Sequence, residues 1–170
     1  YSFLAYEEAF TGGIYVTLAD LNGDGLVEII TSPDEGGGPR VRVFDGKSQK
    51  VLADFLAIED PNFRGGARVS TGDLNGDGVA DLLVGAGFGG GPRLAVFNGR
   101  SLTPGFVPEK LFGDFFVFEE SLRNGVFLTS GDINADGFDD VIVGGGPGGG
   151  PRVIVLDASL LMKSKGADRV

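Results

Sequence analysis

The strongest constraint on this chain is a nine-residue acidic segment that occurs three times. Asp20-Leu-Asn22-Gly-Asp24-Gly-Leu-Val-Glu28 recurs as Asp73-Leu-Asn75-Gly-Asp77-Gly-Val-Ala-Asp81. It recurs again as Asp132-Ile-Asn134-Ala-Asp136-Gly-Phe-Asp-Asp140. Sixteen residues after each leading Asp stands Gly-Gly-Gly-Pro-Arg, ending at Arg40, Arg93 and Arg152. An apolar run follows each time, at 41–44, 94–97 and 153–156. Ahead of each acidic segment lies another run: Phe3-Leu-Ala-Tyr6, Phe55-Leu-Ala-Ile58 and Phe115-Phe-Val-Phe118, each trailed by two acids. The period is 53 and then 59 residues, and the six extra residues fall around Ser101–Gly113, as a loop insertion. Self-similarity at such a period means a stack of like units. Here the units cover about 1–52, 53–112 and 113–170 of one segment, 1–170.

Each unit holds four short apolar runs separated by Gly, Pro, Asn and Asp, the signature of strands and turns. In the second unit the expected strands are A, Arg68–Gly72; B, Ala80–Ala86; C, Arg93–Phe97; and D, at Phe115–Phe118. Strand A is rich in small residues in all three copies, as crowding near a central axis requires. Strands B and C are richer in Val, Leu and Ile, as burial between sheets requires. No helical period appears before Ser159–Lys165. The expectation is an all-β β-propeller of four-stranded antiparallel blades, three per chain. A β-sandwich or a three-repeat β-solenoid is the competing architecture. Phe3–Tyr6 reads as a strand D with no strand C before it, and Val153–Leu156 as a strand C with no strand D after it. Two such unpaired edges favour association, as in a homodimer closing a six-bladed ring by strand exchange. The competing account is an excised part of a longer parent carrying the remaining blades.

Composition removes many chemistries. Among 170 residues there is no His or Cys, hence no Ser-His-Asp triad, cysteine nucleophile, zinc site or disulfide. A metal must be held by oxygen, which favours Ca²⁺, Mg²⁺ or Mn²⁺. With 14 Lys+Arg against 24 Asp+Glu the formal charge is −10, the opposite of a nucleic-acid footprint. No run approaches the roughly 18 apolar residues of a membrane span. The chain opens on Tyr1-Ser2-Phe3 with no signal-like segment, which reads as a mature or excised piece.

The acidic segment puts oxygen side chains at positions 1, 3, 5 and 9, with Gly at position 6 for a sharp turn. Ca²⁺ takes six to eight oxygens. The position-7 carbonyl (Leu26, Val79 or Phe138) is the natural fifth protein ligand, with water completing the shell. Position 12 is Thr31, Val84 and Val143, inside a strand, so this is not an EF-hand. The bland alternative is a tight hairpin turn, which does not need acids at positions 1, 5 and 9 in three copies.

The loop between strands A and B, followed by Leu-Leu-Val-Gly-Ala-Gly-Phe-Gly-Gly-Gly-Pro, resembles the FG-GAP repeat of integrin α-chain propellers and the related bacterial VCBS-type repeats. The resemblance covers nearly the whole chain. It implies a propeller with one Ca²⁺ in the A–B hairpin of each blade, three per chain. By motif position the ligands are Asp20, Asn22, Asp24, the Leu26 carbonyl and Glu28 in the first loop. They are Asp73, Asn75, Asp77, the Val79 carbonyl and Asp81 in the second. In the third they are Asp132, Asn134, Asp136, the Phe138 carbonyl and Asp140. Glu28 departs from the usual Asp and loosens the first site. Three blades also depart from the six to eight of the family's rings.

Other signals weigh less. Gly85–Gly90 and Gly144–Gly149 match G-x-G-x-x-G, but each leads into a strand rather than the helix a dinucleotide site needs. Arg40, Arg93 and Arg152 either form a ring of anion donors or serve the scaffold, pairing with the acids after strand D or lying over a Phe. The scaffold role is favoured because it recurs in every unit. No pair of carboxylates stands out as a glycosidase acid and base. The expected role is a non-catalytic extracellular or cell-surface binding or adhesion module, with a protein or glycan ligand and neither nucleic acid nor membrane insertion. One rival is a propeller lectin binding glycans between blades, with Phe88 and Phe106 as candidate aromatics. Another is the propeller portion of a larger polysaccharide-acting enzyme.

Overall fold

The computed structural model describes residues 1–166, so the last four residues of the expected third unit lie outside the described residues. The first sheet runs β1 (Ile14–Ala19), β2 (Glu28–Pro33), β3 (Arg40–Phe44) and β4 (Val51–Leu56). The second runs β5 (Ala67–Gly72), β6 (Asp81–Ala86), β7 (Arg93–Phe97) and β8 (Phe115–Phe116). The third holds β9 (Val126–Gly131), β10 (Asp140–Gly145) and β11 (Val153–Leu156), with α1 (Ala158–Ser164) after it. Every pairing is antiparallel between sequence neighbours. The chain is all-β apart from α1 and a short 3-10 turn at Gly99–Ser101.

The sheets follow one another as propeller blades do, each an antiparallel meander with its first strand innermost. β1, β5 and β9 adjoin across the sheets. Thr71 Oγ1 donates to the Leu18 carbonyl at 3.2 Å, and Ser130 Oγ to the Thr71 carbonyl at 2.6 Å. Small residues permit this approach. A Cβ on Gly72 would collide with Ser130 Oγ and stand 2.8 Å from Ser130 Cβ. Tyr15, Arg68 and Phe127 occupy matched positions on these strands. The Arg68 guanidinium lies 3.9 Å from the Phe127 ring centroid and donates to the Tyr15 hydroxyl at 3.3 Å.

The period-2 alternation of strands sorts the apolar residues into two inter-sheet cores. Ile30 and Val43 of the first sheet meet Leu82, Val84, Ala95 and Phe97 of the second. Leu83, Leu94 and Val96 of the second meet Val126, Val141 and Val143 of the third, with Leu156 and Leu161. Two faces are left over. On the first sheet Ile14, Val16 and Leu18 are 45, 55 and 55% exposed, and on the third Phe127, Val153 and Val155 are 48, 63 and 41% exposed.

Two expectations need correction. Phe3–Tyr6 is not a strand. The segment folds over the outer face of its own first sheet, where Phe3 meets Phe44 edge-on at 5.0 Å. The buried Tyr6 hydroxyl donates to the Thr31 and Arg40 carbonyls at 2.9 and 3.1 Å. Arg42 donates to the Ala5 carbonyl at 2.7 Å and lies over the Tyr6 ring. Aromatic burial on an open face thus overrides the β pattern of these few residues. In the first sheet, moreover, the fourth strand is Val51–Leu56, ahead of the Phe55–Ile58 run, because Ala57 and Ile58 turn away to be buried. The third sheet has three strands among the described residues, and α1 stands where a fourth would begin.

Candidate metal centre

Each acidic segment is the hairpin between the first two strands of its sheet, so both ends of the loop are clamped by a ladder. In the first loop Asp20 Oδ1 accepts from the Gly23 and Asp24 N–H at 2.6 and 3.2 Å, and Oδ2 from Gly25 at 2.7 Å. Asn22 Oδ1 accepts from Asp24, and Asp24 Oδ1 from Leu26, both at 2.8 Å. The second loop repeats this: Gly76, Asp77 and Gly78 donate to Asp73, Asp77 to Asn75, and Val79 to Asp77. The third does so with Asp136 and Gly137 on Asp132, Asp136 on Asn134, and Phe138 on Asp136. Gly23 and Gly76 carry φ of 77° and 72°; in the third loop Ala135 takes this left-handed conformation at 61°, which a side chain adopts only at a cost.

The position-9 acids open the second strand of each sheet. Glu28, Asp81 and Asp140 are each 1% exposed. One oxygen of each accepts the N–H of position 2: Leu21 at 2.7 Å, Leu74 at 3.1 Å and Ile133 at 3.3 Å. The other oxygen of Asp81 accepts from Gly99, and that of Asp140 from Ala158, both at 3.0 Å. Asn22 Nδ2 donates to Glu28 Oε1 at 3.3 Å, as Asn75 Nδ2 does to Asp81 Oδ1 at 3.3 Å. Burial pushes the Asp81 carboxyl up to about 7, with the Asp77 and Asp73 charges adding to it and the Gly99 and Leu74 amides opposing. Burial also raises Glu28, assisted by Asp20, Asp24 and Asp45. The Gly25, Gly23 and Asp24 amides hold Asp20 low.

Successive loops touch. The position-7 side chain of one loop packs over the first loop glycine of the one before: Val79 beside Gly23, and Phe138 beside Gly76. Val79 is buried and Phe138 half-buried, while Leu26 of the first loop is 53% exposed. Asp139 ties the second and third loops together. Its carboxylate accepts the Asp73 N–H at 2.9 Å, and its own N–H donates to the Asp73 carbonyl at 2.8 Å. Sequence reasoning passed over Asp139, Arg100 and Asp157, which all bear on the loops. Arg100 and Asp157 follow the third strand of their units, at two different positions that the sequence alone does not tie to the loops.

Among the described residues no three carboxylates close on one point as a ready cation cluster; backbone amides hold them. The donor set fits a hard divalent cation all the same. Each loop offers three carboxylates and an amide oxygen, without nitrogen or sulfur ligands. An acid as deeply buried as Asp81, with its pKa raised, marks a site short of positive charge.

The repeated arginines serve the scaffold. Arg40 pairs with Asp54 at 2.5 Å and Glu7 at 3.3 Å. Arg93 sits 3.6 Å from Asp114 and over Phe116. Arg152 is held by Glu119, with one contact at 2.9 Å, and lies over Phe118. The Gly-rich stretches lead into β7 and β11, so no phosphate-binding helix follows them. Phe88 and Phe106 are both exposed but lie at opposite ends of the second sheet, in the β6–β7 turn and in the loop after β7.

Residues 20–84, from the first loop through β2, β3, β4 and β5 to the second loop and into β6, match the family model of the FG-GAP-like repeat. Over those residues the chain is similar to the FG-GAP-like repeat. The chain is 28% identical over 170 residues to Integrin alpha-5 of Xenopus laevis, covering 85% of this chain and 15% of that protein. It is 28% identical to Integrin alpha-V of Gallus gallus, with the same coverage. To Integrin alpha-PS5 of Drosophila melanogaster it is 28% identical, covering 78% of this chain and 14% of that protein. The chain thus spans about one seventh of these integrin relatives. Among solved structures it resembles the rhamnogalacturonan lyase YesW (TM-score 0.51, 17% identity, 76% of this chain, 29% of that chain). It also resembles the exotype rhamnogalacturonan lyase YesX (TM-score 0.53, 16% identity, 76% of this chain, 28% of that chain). At these identities the likeness to the lyases is one of fold.

Proposed function

We propose that this FG-GAP-like segment is a calcium-loaded β-propeller module with a non-catalytic binding or adhesion role outside the cell. The observation that carries the metal is the buried acid at position 9. It stands at the same register in all three sheets, beside two further loop carboxylates, and at Asp81 its carboxyl is raised to about 7. In this reading the ligands are Asp20, Asn22, Asp24, the Leu26 carbonyl and Glu28, with the matching residues of the other two loops. Three divalent ions would bring the formal charge from −10 to −4. Loops of this weak, exposed kind fill where Ca²⁺ is near millimolar, as it is outside cells. The integrin alpha relatives support the adhesion role, and no helix among the described residues is long and apolar enough to cross a membrane.

Metal counted at equilibrium, by dialysis against Ca²⁺ raised to about ten times the millimolar extracellular level, tests the reading: three Ca²⁺ per chain are expected, and none would overturn it. A second reading, the propeller portion of a polysaccharide-acting enzyme, draws on the fold likeness to two lyases. Binding of rhamnogalacturonan by this chain would favour it.

Assembly belongs to the same proposal. The N-terminal segment covers the open face of the first sheet at Thr31 and Phe44 and leaves Ile14, Val16 and Leu18 of β1 exposed on that same face. The matching positions of the second sheet are Ala67, Val69 and Thr71, which the first sheet covers. Further blades of the same kind are therefore the natural cover. A second copy closing a six-bladed ring supplies them, or else the remainder of a longer parent does.

A further inference from the structure

The second loop differs from the other two in one contact. Arg100 Nε lies 2.9 Å from Asp77 Oδ2, and its Nη2 donates to the Asp77 carbonyl at 3.2 Å. Arg100 belongs to the 3-10 turn Gly99–Ser101. That turn is fastened to the loop a second time, by the Gly99 N–H on Asp81. Its N-cap is Asn98, whose side chain accepts the Arg100 N–H at 3.0 Å.

The matched positions in the other repeats carry different charge. Asn98 corresponds to Asp45 and Asp157, and Arg100 to Lys47 and Ser159. In the third repeat Asp157 Oδ2 stands 3.5 Å from Asn134 Nδ2, a fourth carboxylate beside the loop, and Ser159 is neutral. In the first repeat Asp45 adds to the negative field at Glu28. Lys47 has no carboxylate partner within 4 Å among the described residues, whose ion pairs include Arg100–Asp77 alone at the three loops. The first and third loops thus gain an acid from this position, whereas the second gains a neutral amide and a cation seated on its position-5 ligand.

We infer that Arg100 is the resident counter-cation of the second loop, holding Asp77 in the absence of a divalent ion and making this loop the last of the three to take up calcium. The inference rests on the calcium reading above. An incoming ion must share Asp77 with a guanidinium or displace it, and like charge beside the site opposes it directly. The ion pair is half-exposed. Its weight is therefore that of a surface pair, about fivefold in affinity at most. It sets the order of filling and does not close the site.

The position-6 glycines report each loop separately. The N–H groups of Gly25, Gly78 and Gly137 donate to Asp20, Asp73 and Asp132 at 2.7, 2.8 and 3.0 Å. Titration of the ¹⁵N-labelled chain with CaCl₂ follows all three amides at once. The expected result is a Gly78 midpoint at higher Ca²⁺ than those of Gly25 and Gly137. Arg100→Ser, which installs the third repeat's residue at an exposed position, should lower the Gly78 midpoint about fivefold and leave the other two in place. Asn98→Asp should lower it as well. Gly78 filling with or before the others, or an unmoved midpoint in Arg100→Ser, overturns the inference while leaving the calcium reading intact. No shift at any of the three glycines up to 10 mM Ca²⁺, an assay concentration far above the extracellular level, overturns both.

Discussion

Ser130 Oγ reaches across from the third sheet to the Thr71 carbonyl of the second, 2.6 Å away, in the space left by the missing side chain of Gly72. The contact sets how closely the innermost strands approach, and with it the alignment of the second and third loops through Asp139. Gly72→Ala forces these strands apart, at a cost of about 1–3 kcal/mol, as for other overpacked sites. Ser130→Ala loses one hydrogen bond, worth about 1 kcal/mol. Urea unfolding should rank the two variants in that order. Equal stabilities for wild type and Gly72→Ala would show that the strands are not held at this distance.

Tyr6 holds the N-terminal segment on the first sheet. Burial pushes its hydroxyl up to about 12, so it stays protonated and donating throughout the ordinary pH range. Tyr6→Phe keeps the ring against Arg42 but leaves the Thr31 and Arg40 carbonyls without this donor. A loss of about 1–2 kcal/mol is expected, together with faster proteolysis within residues 1–10. Unchanged protease resistance would mean that the segment is held by Phe3 and Phe10 without the hydroxyl.

How the chain associates can be read from its two open faces. Face packing predicts a particle near twice 17.6 kDa in Ca²⁺ by light scattering, lost in Phe127→Asp, which places a charge on the open face of the third sheet. Deleting residues 1–8 should leave the dimer in place, because Phe3–Tyr6 is not a strand and lies on its own chain. A stable monomer in Ca²⁺ would assign the faces to blades of a longer parent. Loss of the dimer on the deletion alone would restore strand exchange.

Asp81 gives the metal-free protein a pH dependence of known sign. Its carboxyl in the fold is raised to about 7 from an ordinary 3.8, chiefly by burial. The folded state therefore favours the protonated acid. That contribution to stability is complete below the ordinary aspartate pKa and is lost as pH rises through about 7. In EDTA, wild type should lose stability relative to Asp81→Asn between pH 5 and pH 8. Parallel pH profiles for the two would place the charge of Asp81 elsewhere.

The periodic parts of the molecule were legible in the sequence. Strands A, B and C of the second unit came within one residue of β5, β6 and β7, because triplicated turn signals fix their ends. The loops were legible too, since nothing but a repeated oxygen pattern explains Asp, Asn, Asp and an acid at fixed offsets. The fourth strands were not. Phe55–Ile58 and Phe115–Phe118 are apolar because their ends turn into inter-sheet cores, so hydrophobicity alone misplaced β4 and lengthened β8. Phe3–Tyr6 failed for the same reason, its aromatics being spent on an open face. Arg100 and Asp157 were out of reach because their link to the loops depends on where β7 and β11 end in space.

The most direct test of the account is a thermal melt of the chain in EDTA and again in millimolar Ca²⁺, with bound metal counted in the same samples. Selective binding to the folded state stabilises it by about 0.4 kcal/mol per site where Ca²⁺ equals Kd and about 1.4 kcal/mol at tenfold excess. The account predicts a clear rise in Tm in Ca²⁺, with three ions bound, and a smaller rise with fewer ions when Asp77→Ala disables the second loop. Coincident melting curves in EDTA and Ca²⁺, with no metal bound, would contradict it.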